Sequence, residues 1–371
     1  MNYLYFLILV LFLSCFLIQL YYILTIHLRL RSFHVNEPDE NVQHPVSVII
    51  CARNEENNLK ENLTSVLEQN YRDFEVVVVN DCSNDDTKYV LEDFAKRYPH
   101  LKIVTITEHD RFKHGKKFAV TLGIKAAQNE HLLFTDADCK PASENWLRTM
   151  QQNFTDGKEI VLGYSPYQRE AGFLNMLIRF ETFSTALNYF SFALTGRPYM
   201  GVGRNLSYTR SLFFRGKGFA SHMHILSGDD DLFVNQHAGK DNTVIEIHPD
   251  SHVWSEPKKT LSAYITQKLR HMGAGKAYKP QHRQMLSLQA GSAIIFYISL
   301  ITLIIIQAQW WILLPVFMVR LIVQLIVYYP IFNKLSYQDL IGWFPVLDFI
   351  YYFYLLSLYI IAMFKKKARW R

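Results

Sequence analysis

The amino-acid sequence predicts an α/β domain built on a mainly parallel β-sheet and joined to membrane-spanning helices at both ends. Two observations predict this fold class. Between residues 45 and 140, short β-rich apolar runs alternate with longer helix-like segments, as in a parallel sheet covered on both faces by helices. Outside that region lie apolar stretches that are long enough to cross a bilayer.

The chain begins with the first of these apolar stretches. Residues 3–25 contain no charged side chain and exceed the roughly 20 helical residues that a bilayer core requires. A cleaved signal peptide is the alternative, but the stretch has no basic leader, is too long and lacks a small-residue cleavage site. We therefore expect residues 1–26 to form a retained membrane anchor. Arg29 and Arg31 follow it and predict a cytoplasmic domain, as in an integral protein of a bacterial-type cell membrane.

The α/β region is predicted to extend over residues 45–260. Its strands are the runs VSVIIC, FEVVVV, LKIVTI and HLLFT, at residues 46–51, 74–79, 101–106 and 131–135. Helix-like segments are predicted between and after them, near residues 55–70, 84–98, 115–128 and 172–194. Beyond residue 141 the periodicity is less regular.

Polar side chains collect where three of the predicted strands end. The first strand is followed by ARNEE at 52–56, the second by NDCSNDDT at 80–87, and the fourth by DAD at 136–138. Each stretch has an ordinary explanation, because residues such as Asn54, Ser83 or Asn84 often cap the helix that follows. In an open parallel sheet, however, ligands bind beyond the carboxyl ends of the strands. We therefore expect the three stretches to converge on one crevice.

The paired carboxylates of DAD indicate how a phosphate group would be bound there. No GxGxxG follows the first strand, and the chain has no GxxxxGK[ST] motif, so a glycine-rich phosphate loop is excluded. Two carboxylates at positions i and i+2 can instead bind a hard divalent cation that bridges to a diphosphate. We therefore predict a hard divalent cation at this site. A lone acidic pair is weak evidence by itself, since such pairs are common in surface loops.

Taken together, the motifs resemble those of a family 2 glycosyltransferase with a GT-A fold. The resemblance rests on the segments VSVIICARNEENNLKENLTSVLEQNYRDFEVVVVNDCSNDDT, GKKFAVTLGIKAA and LLFTDAD, and on GDDD at 228–231, which occur in the family's order and spacing over roughly residues 45–235. It implies an inverting transfer from a nucleotide-sugar, most often a UDP-sugar, with Mg²⁺ or Mn²⁺.

The resemblance also implies roles for residues on the donor side. Ala52, Arg53 and Glu55 of ARNEE would lie beside the nucleobase, and Asp81 would contact the uridine. Lys116 stands where the family has a basic residue near the nucleotide, although an ordinary charge in the first turn of a helix is the alternative.

The resemblance also implies roles for the two acidic motifs, DAD and GDD. By resemblance, Asp138 would ligate the metal, and Asp136 would touch the nucleotide or sugar and help to bind the metal. A hydroxyl acceptor needs a carboxylate that removes its proton as it attacks the anomeric carbon. Alignment of GDD places this base at Asp230, with Asp229 as the alternative because three aspartates are adjacent. Crowding of carboxylates would raise the pKa of one of them. An acidic helix N-terminus is the structural alternative.

A further motif follows the α/β region. QKLRH, at residues 267–271, is similar to the QxxRW motif of membrane-integrated synthases and of ceramide glucosyltransferase-like enzymes. Gln267 and Arg270 match this motif, and Arg270 would bind the diphosphate. His271 replaces the tryptophan, which removes a stacking surface for an acceptor sugar and argues against processive synthesis. GVGRNLSY, at 201–208, occupies the family's acceptor-side region, where its glycines and Asn205 also suit a tight turn.

The C-terminal part is predicted to associate with the membrane. Residues 261–287 are basic and amphipathic, which favours an interfacial segment. Residues 288–364 form a membrane region whose apolar runs lie at 289–306, 310–331 and 343–364; Arg320 within it is expected to face protein rather than lipid. Three crossings would place the basic tail, 365–371, outside, so one run is expected to be interfacial or re-entrant. The net charge of +6 comes largely from such flanks and predicts a membrane partner but no nucleic acid.

These expectations combine into one functional hypothesis with two alternatives. The chain is expected to be a membrane-bound glycosyltransferase that moves a sugar from a nucleotide-sugar to a lipid or lipid-linked acceptor. The first alternative is a processive polysaccharide synthase of the chitin, hyaluronan or cellulose synthase type. The second is a non-catalytic membrane scaffold, against which the intact acidic motifs argue. The sequence does not identify the sugar or the acceptor.

Overall fold

A computed structural model describes residues 2–41, 44–107, 115–155, 157–225 and 227–364. The N-terminal apolar stretch is helical throughout: α1 (Asn2–Tyr21) continues through a π-helical segment (Tyr22–His27) into α2 (Leu28–Ser32). The predicted anchor is therefore part of one long helix that extends to Ser32. The basic tail at 365–371 lies outside the described residues.

An α/β domain follows, and its first half has the predicted order of elements. The four predicted strands are β1 (Val46–Ala52), β2 (Phe74–Asp81), β3 (Leu101–Ile106) and β4 (His131–Asp136). The helices between them are α3 (Glu56–Leu67), α4 (Thr87–Arg97) and α5 (Lys116–Ala126). All four strands pair in parallel, with β1 between β2 and β4 and with β3 outside β2. The prediction of an α/β fold with a mainly parallel sheet is confirmed.

The second half of the domain extends this sheet with short strands that the sequence did not predict. Its elements are β5 (Cys139–Pro141), α6 (Trp146–Gln151), β6 (Ile160–Leu162), α7 (Phe173–Leu194), β7 (Leu206–Thr209), α8 (Arg210–Arg215), α9 (Asp231–His237), β8 (Thr243–Ile245) and β9 (Val253–Ser255). Within the described residues the main sheet has the order β3-β2-β1-β4-β7-β6-β8, and β5 pairs with β9 in a separate two-stranded sheet. β7 is antiparallel to both of its neighbours.

The central strands are buried on both faces, which explains why their sequences are continuous apolar runs rather than alternating ones. Val48 and Val76 pack in the cluster that contains the apolar sides of α3 and α4. Ile49 and Val77 face the other cluster, which contains α7. α7 in turn contacts the apolar helices beyond the domain, where Phe183 stacks on Phe332 with ring centroids 3.7 Å apart. The sheet, α7 and the apolar helices therefore share one continuous core.

Four helices follow the α/β domain: α10 (Leu261–Gly275), α11 (Pro280–Ile305), α12 (Trp310–Lys334) and α13 (Phe344–Phe364). A 3₁₀ segment, Gln338–Trp343, precedes α13. Residues 261–287, predicted as one interfacial segment, are α10 and the first turns of α11. α11 begins earlier than expected because Pro280 suits the first turn of a helix, where its missing N–H leaves no intrahelical bond unmade.

By length and composition alone, four helical stretches of the described chain are able to cross a membrane: Tyr3–Ser32, Pro280–Ile305, Trp310–Lys334 and Gln338–Phe364. The expectation that one of the last three is interfacial or re-entrant stays a prediction.

Arg320 of α12 is 1% exposed and joins these four helices. Its Nε donates to Gln19 of α1 at 2.6 Å, its Nη1 to Tyr297 of α11 at 3.0 Å, and its Nη2 to Asp348 of α13 at 2.9 Å. The Tyr297 hydroxyl also donates to Asp348. The expectation that this charge faces protein is confirmed, because the guanidinium is surrounded by polar groups from three other helices.

Replacing Asp348 by leucine is expected to destabilise the helical bundle. Removal of one partner of a buried ion pair costs about 3–5 kcal/mol, because the remaining charge is left uncompensated. The unfolding temperature of the detergent-solubilised variant, measured by scanning fluorimetry, should fall clearly below that of the wild type. The double variant Arg320→Leu/Asp348→Leu should recover most of the loss. Equal instability of the single and double variants would contradict an electrostatic origin.

Candidate active site

The strand ends that carry the predicted site residues lie side by side. In the register of the sheet, Ala52 at the end of β1 is opposite Asn80 of β2, and Cys51 is opposite Asp136 of β4. The polar stretches that follow these strands therefore meet at one edge of the sheet, as expected. Asp138 follows within two residues of β4.

The loops after β1 and β2 are bonded to each other rather than serving as simple helix caps. Asn54 has a φ of 58°. Its backbone N–H donates to the Ser83 hydroxyl at 3.0 Å, and its side-chain oxygen accepts the N–H of Asn84 at 2.8 Å. The N–H of Glu55 donates to the Thr87 hydroxyl at 3.0 Å. The capping alternative for Asn54 is therefore wrong, because its carboxamide stabilises the pair of loops.

The predicted donor-side residues lie along this pair of loops and differ in their surroundings. Ala52 is fully buried, and Arg53 is half-buried. Asp81 is 4% exposed, and its Oδ1 has no hydrogen-bond partner among the described residues. A buried carboxylate oxygen without a donor is costly. The orphaned oxygen therefore suits a ligand N–H, which agrees with the predicted contact to a nucleobase.

Glu55 lies close enough to the DAD carboxylates to interact with them. Burial raises the pKa of Glu55, and the charges of Asp138 and Asp136 raise it further, whereas a hydrogen bond from Asn58 lowers it. The carboxylates that follow β1 and β4 therefore belong to one electrostatic cluster.

Asp136, Asp138 and Cys139 form a cluster in which the side-chain ligand atoms lie within 4.8 Å of one another. Burial is the main reason that the pKa of the Cys139 thiol is raised well above its usual value, so the thiol stays protonated. Its Sγ–H donates to Asp138 Oδ1 at 3.3 Å. The donor set is therefore one of carboxylate oxygens, which fits Mg²⁺ or Mn²⁺ better than a thiophilic metal.

Lys116 lies between the two acidic motifs, where no sequence spacing could place it. As the first residue of α5, it donates from Nζ to Asp136 Oδ1 at 2.8 Å and lies 3.5 Å from Asp229 Oδ2. Burial opposes its charge, but Asp136, Asp229 and Asp230 together raise the pKa of Lys116. It therefore remains a cation that links both motifs, rather than an ordinary charge in a helix turn.

The three adjacent aspartates at 229–231 have different partners. Asp230 accepts the backbone N–H of Gly203 at 2.8 Å on Oδ2 and that of Asp231 at 2.7 Å on Oδ1. Asp231 accepts the Tyr278 hydroxyl at 2.7 Å, so it is held at the start of α9. Asp229 and Asp230 line a small cavity at the strand ends, together with Lys116 and Asp136. Asp230 is the N-cap residue of α9 and Asp231 is its first residue, so the candidate base is also part of the acidic helix N-terminus.

The turn opposite Asp230 comes from the GVGRNLSY segment. Asn205 is fully buried, and its side chain bonds Trp146 Nε1 and the carbonyl oxygens of Tyr164 and Ser251. A Cβ atom on Gly203 would lie 3.1 Å from Asp230 Oδ2, which is tighter than an ordinary contact. The glycine therefore admits the carboxylate, and Asn205 fixes the turn. Sequence reasoning placed both residues in the family's acceptor-side region, with a tight turn as the alternative, but did not predict their contacts.

Arg270 of α10 is brought to the same region. The Ser227 hydroxyl donates to the Arg270 carbonyl oxygen at 3.2 Å, and Arg270 is among the charges that lower the pKa of Asp136 against the effect of burial. Gln267 Oε1 is buried without a hydrogen-bond partner among the described residues. Arg270 therefore lies near the acidic cluster, and the binding roles of Gln267 and Arg270 stay predictions.

The charge of Asp231 is expected to make stability depend on pH. Burial and the charge of Asp230 raise the pKa of Asp231 from 3.8 to about 7. Between about pH 4 and pH 7 the unfolded chain loses this proton before the folded one does, so folding stability falls as pH rises through that window. In the substrate-free protein, Asp231→Asn should therefore reduce the fall in unfolding temperature between pH 5 and pH 8, whereas the exposed-site control Asp93→Asn should not. Equal pH slopes for Asp231→Asn and the wild type would contradict this assignment.

Comparison with known proteins agrees with this geometry. Residues 47–217 match the family described as Glycosyl transferase family 2. The chain carries a family 2 glycosyltransferase domain. The DAD motif, the turn at 203–205 and the four parallel strands, except for Val46 at the start of β1, lie within the matched residues.

Individual curated proteins also align with part of the chain. A protein of Staphylococcus haemolyticus named 4,4'-diaponeurosporenoate glycosyltransferase is 30% identical over 166 residues, which is 42% of this chain and 43% of that protein. A Staphylococcus epidermidis protein named poly-beta-1,6-N-acetyl-D-glucosamine synthase is 32% identical over 108 residues, which is 29% of this chain and 25% of that protein. The chain thus aligns with less than half the length of these curated relatives.

A solved structure resembles both the family 2 domain and the apolar helices of this chain. It is a mannosyltransferase from Pyrobaculum calidifontis in complex with GDP-Man and Mn²⁺, with a TM-score of 0.59 and 18% identity. The match covers 94% of this chain and 98% of that one. At this identity the likeness shows the fold, which is the GT-A fold expected from the sequence.

Proposed function

We propose that this chain is a membrane-bound, inverting glycosyltransferase that moves a sugar from a nucleotide-sugar, with a UDP-sugar as the first candidate, to a lipid or lipid-linked acceptor on the cytoplasmic side. The observation that carries the proposal is the convergence of two acidic motifs, DAD and GDDD, on Lys116 at the strand ends of a family 2 domain.

The residues divide into a donor side and a chemical centre. Asp81, with its orphaned buried oxygen, and Arg53 and Glu55 would bind the nucleoside. Asp138, helped by Asp136, would hold a divalent cation, which offsets the negative charge of the departing diphosphate. Arg270 would contact that diphosphate from α10.

Asp230 is the proposed base. Burial and the neighbouring charge of Asp229 raise the pKa of Asp230, while the backbone N–H groups of Gly203 and Asp231 lower it. The raised pKa makes the carboxylate a better proton acceptor, and the two N–H groups fix its orientation. Asp230 would take the proton of the acceptor hydroxyl while its oxygen attacks the anomeric carbon, with Asp229 as the alternative base.

The lipid nature of the acceptor is inferred from the surroundings of the site. α10 carries Gln267 and Arg270 and also packs on the apolar helices, where Tyr264 stacks on Tyr354 of α13. An acceptor held in the bilayer would therefore reach the strand ends along α10. The relative named a diaponeurosporenoate glycosyltransferase supports this choice through its name alone.

The experiment is nucleotide release by the purified full-length chain in native lipid extract. UDP-sugars and GDP-sugars would be offered in turn with Mn²⁺, with Mg²⁺ or with EDTA, and radiolabelled sugar would be followed into the organic phase. We expect metal-dependent release and organic-phase label with one donor. Label that enters only water-soluble acceptors would overturn the lipid proposal, and silence with every donor would overturn the activity itself.

A processive synthase is the second candidate, favoured by the relative named poly-beta-1,6-N-acetyl-D-glucosamine synthase. Electrophoresis or chromatography of the labelled product separates the two proposals. A single product of fixed mobility supports one transfer, whereas a ladder of increasing length supports polymerisation.

A further inference from the structure

Arg204 is a cation in the candidate site that the roles above leave unassigned. It occupies the middle of the turn Gly203–Asn205. Its guanidinium carbon lies 4.4 Å from the centroid of the Tyr167 ring, and Nη2 donates to the Ser165 carbonyl oxygen at 3.2 Å. Among the described residues this is its single hydrogen bond, and no carboxylate lies within ion-pair distance of it. Most of its five N–H donors are therefore unused.

A half-buried guanidinium without a paired carboxylate is energetically unfavourable. Stacking on Tyr167 compensates part of that cost and fixes the plane of the guanidinium. Asp136 and Asp138 attract it from a longer range. A divalent cation held by those aspartates would offset that attraction. The arrangement is thus an arginine that is held in position and still able to bind an anion with paired N–H groups.

The position of Arg204 points to the acceptor rather than the donor. Its neighbour Gly203 donates to Asp230, so the residue next to Arg204 in the turn holds the proposed base. An acceptor whose hydroxyl contacts Asp230 therefore has its adjoining groups beside Arg204. The donor diphosphate already has the proposed metal site and Arg270 to bind it.

The Tyr167 side of the turn also borders the apolar helices. The backbone N–H of Tyr167 donates to the hydroxyl of Tyr337 at 2.7 Å, and Tyr337 lies between α12 and the 3₁₀ segment before α13. A lipid that enters from the bilayer would therefore pass this side before its hydroxyl reaches Asp230.

We propose that Arg204 binds an oxyanion, a phosphate or a carboxylate, carried by the lipid acceptor next to the hydroxyl that receives the sugar. The enzyme would therefore select anionic acceptors. This inference rests on the proposed function. An arginine fork binds such a group through two parallel charged hydrogen bonds, which a lysine cannot reproduce.

The test compares Arg204→Met and Arg204→Lys with the wild type, as full-length protein in nanodiscs. The acceptors are fractions of native lipid extract separated by anion exchange. We expect wild-type transfer only with the anionic fractions. Arg204→Met should lower kcat/KM for the acceptor about 10- to 100-fold, the value of a charged hydrogen bond, and Arg204→Lys should lie between. Arg210→Met, which removes another ring-stacked arginine at the far end of β7, should match the wild type.

Two further measurements separate the alternatives. The affinity for the free nucleoside diphosphate with Mn²⁺, measured by calorimetry, should be unchanged in Arg204→Met; a large loss would show that Arg204 serves the donor and would overturn the proposal. The unfolding temperature should not fall, since the missing charge had no carboxylate partner. Equal transfer by the wild type to neutral and to anionic lipid fractions would also overturn the proposal. A wild type that transfers to no fraction would instead mark failure of the proposed function.

Discussion

Asp230→Asn is expected to abolish sugar transfer while the nucleotide still binds. The carboxylate is fixed by the N–H groups of Gly203 and Asp231, and each of its oxygens keeps a second lone pair for the acceptor proton. Asparagine retains one acceptor oxygen but has no basic group. General base catalysis is typically worth about 10²- to 10⁴-fold, so kcat should fall by that factor. Labelled-product formation measures the rate, and calorimetry with nucleoside diphosphate and Mn²⁺ measures binding.

Asp229→Asn is the matched variant, since it removes a neighbouring carboxylate of the same cluster. Asp229 lies 3.5 Å from Lys116, so its loss should weaken the contact between the two motifs and reduce the rate less than loss of Asp230. If Asp229→Asn were inactive while Asp230→Asn kept substantial activity, Asp229 would be the base instead. Asp93→Asn, at an exposed position on α4, should leave the rate unchanged.

Asp138→Asn is expected to remove the dependence of nucleotide release on the divalent cation, together with nearly all of the activity. The cluster of Asp136, Asp138 and Cys139 places carboxylate oxygens together, and Asp136 is already shared with Lys116. Asp138 therefore contributes the ligand that is free of an ion pair within the described residues. A bound divalent cation stabilises developing charge by several kcal/mol, so the rate should fall by at least about 10²-fold.

Mn²⁺ titration followed by electron paramagnetic resonance, in the presence of nucleoside diphosphate, measures this site directly. Asp138→Asn should weaken Mn²⁺ binding, whereas Cys139→Ser should not, because a serine hydroxyl still donates to Asp138 and the thiol is not a predicted ligand. Loss of Mn²⁺ binding in Cys139→Ser would assign the sulfur to the metal. Chelation of the wild type with EDTA, followed by readdition of Mn²⁺, should remove and restore activity.

The first half of the fold was predictable because each strand contains a β-rich, mainly apolar run of five or six residues between polar turns. β1 to β4 begin at the predicted residues and end no more than two residues later. β6 and β8 contain three residues each, which is too short for a period to be recognised. β6 is positioned by pairing with β7, and β8 by pairing with β6. These tertiary effects leave no local signal in the sequence.

The site was predictable where a motif carries it and not where contacts join distant residues. Through the resemblance to the family, DAD and GDD point to Asp136, Asp138 and Asp230, with Asp229 as the alternative base. Lys116 was expected near a nucleotide, but its contact with Asp136, 20 residues away, depends on how α5 and β4 pack. Arg204 was missed because an arginine within a glycine turn resembles any surface charge until Tyr167 and Ser165 are seen around it.

The buried ion pair between Arg320 and Asp348 also constrains the order in which the apolar helices assemble during synthesis. Ribosomal synthesis delivers Gln19 and Tyr297 before Arg320, whereas Asp348 follows 28 residues after Arg320. Until α13 emerges, the guanidinium has polar neighbours but no countercharge, and such a charge would be expensive in a segment that enters lipid. α12 and α13 are therefore expected to leave the insertion machinery as a pair, and a nascent chain cut between them should be recognised and degraded as incomplete.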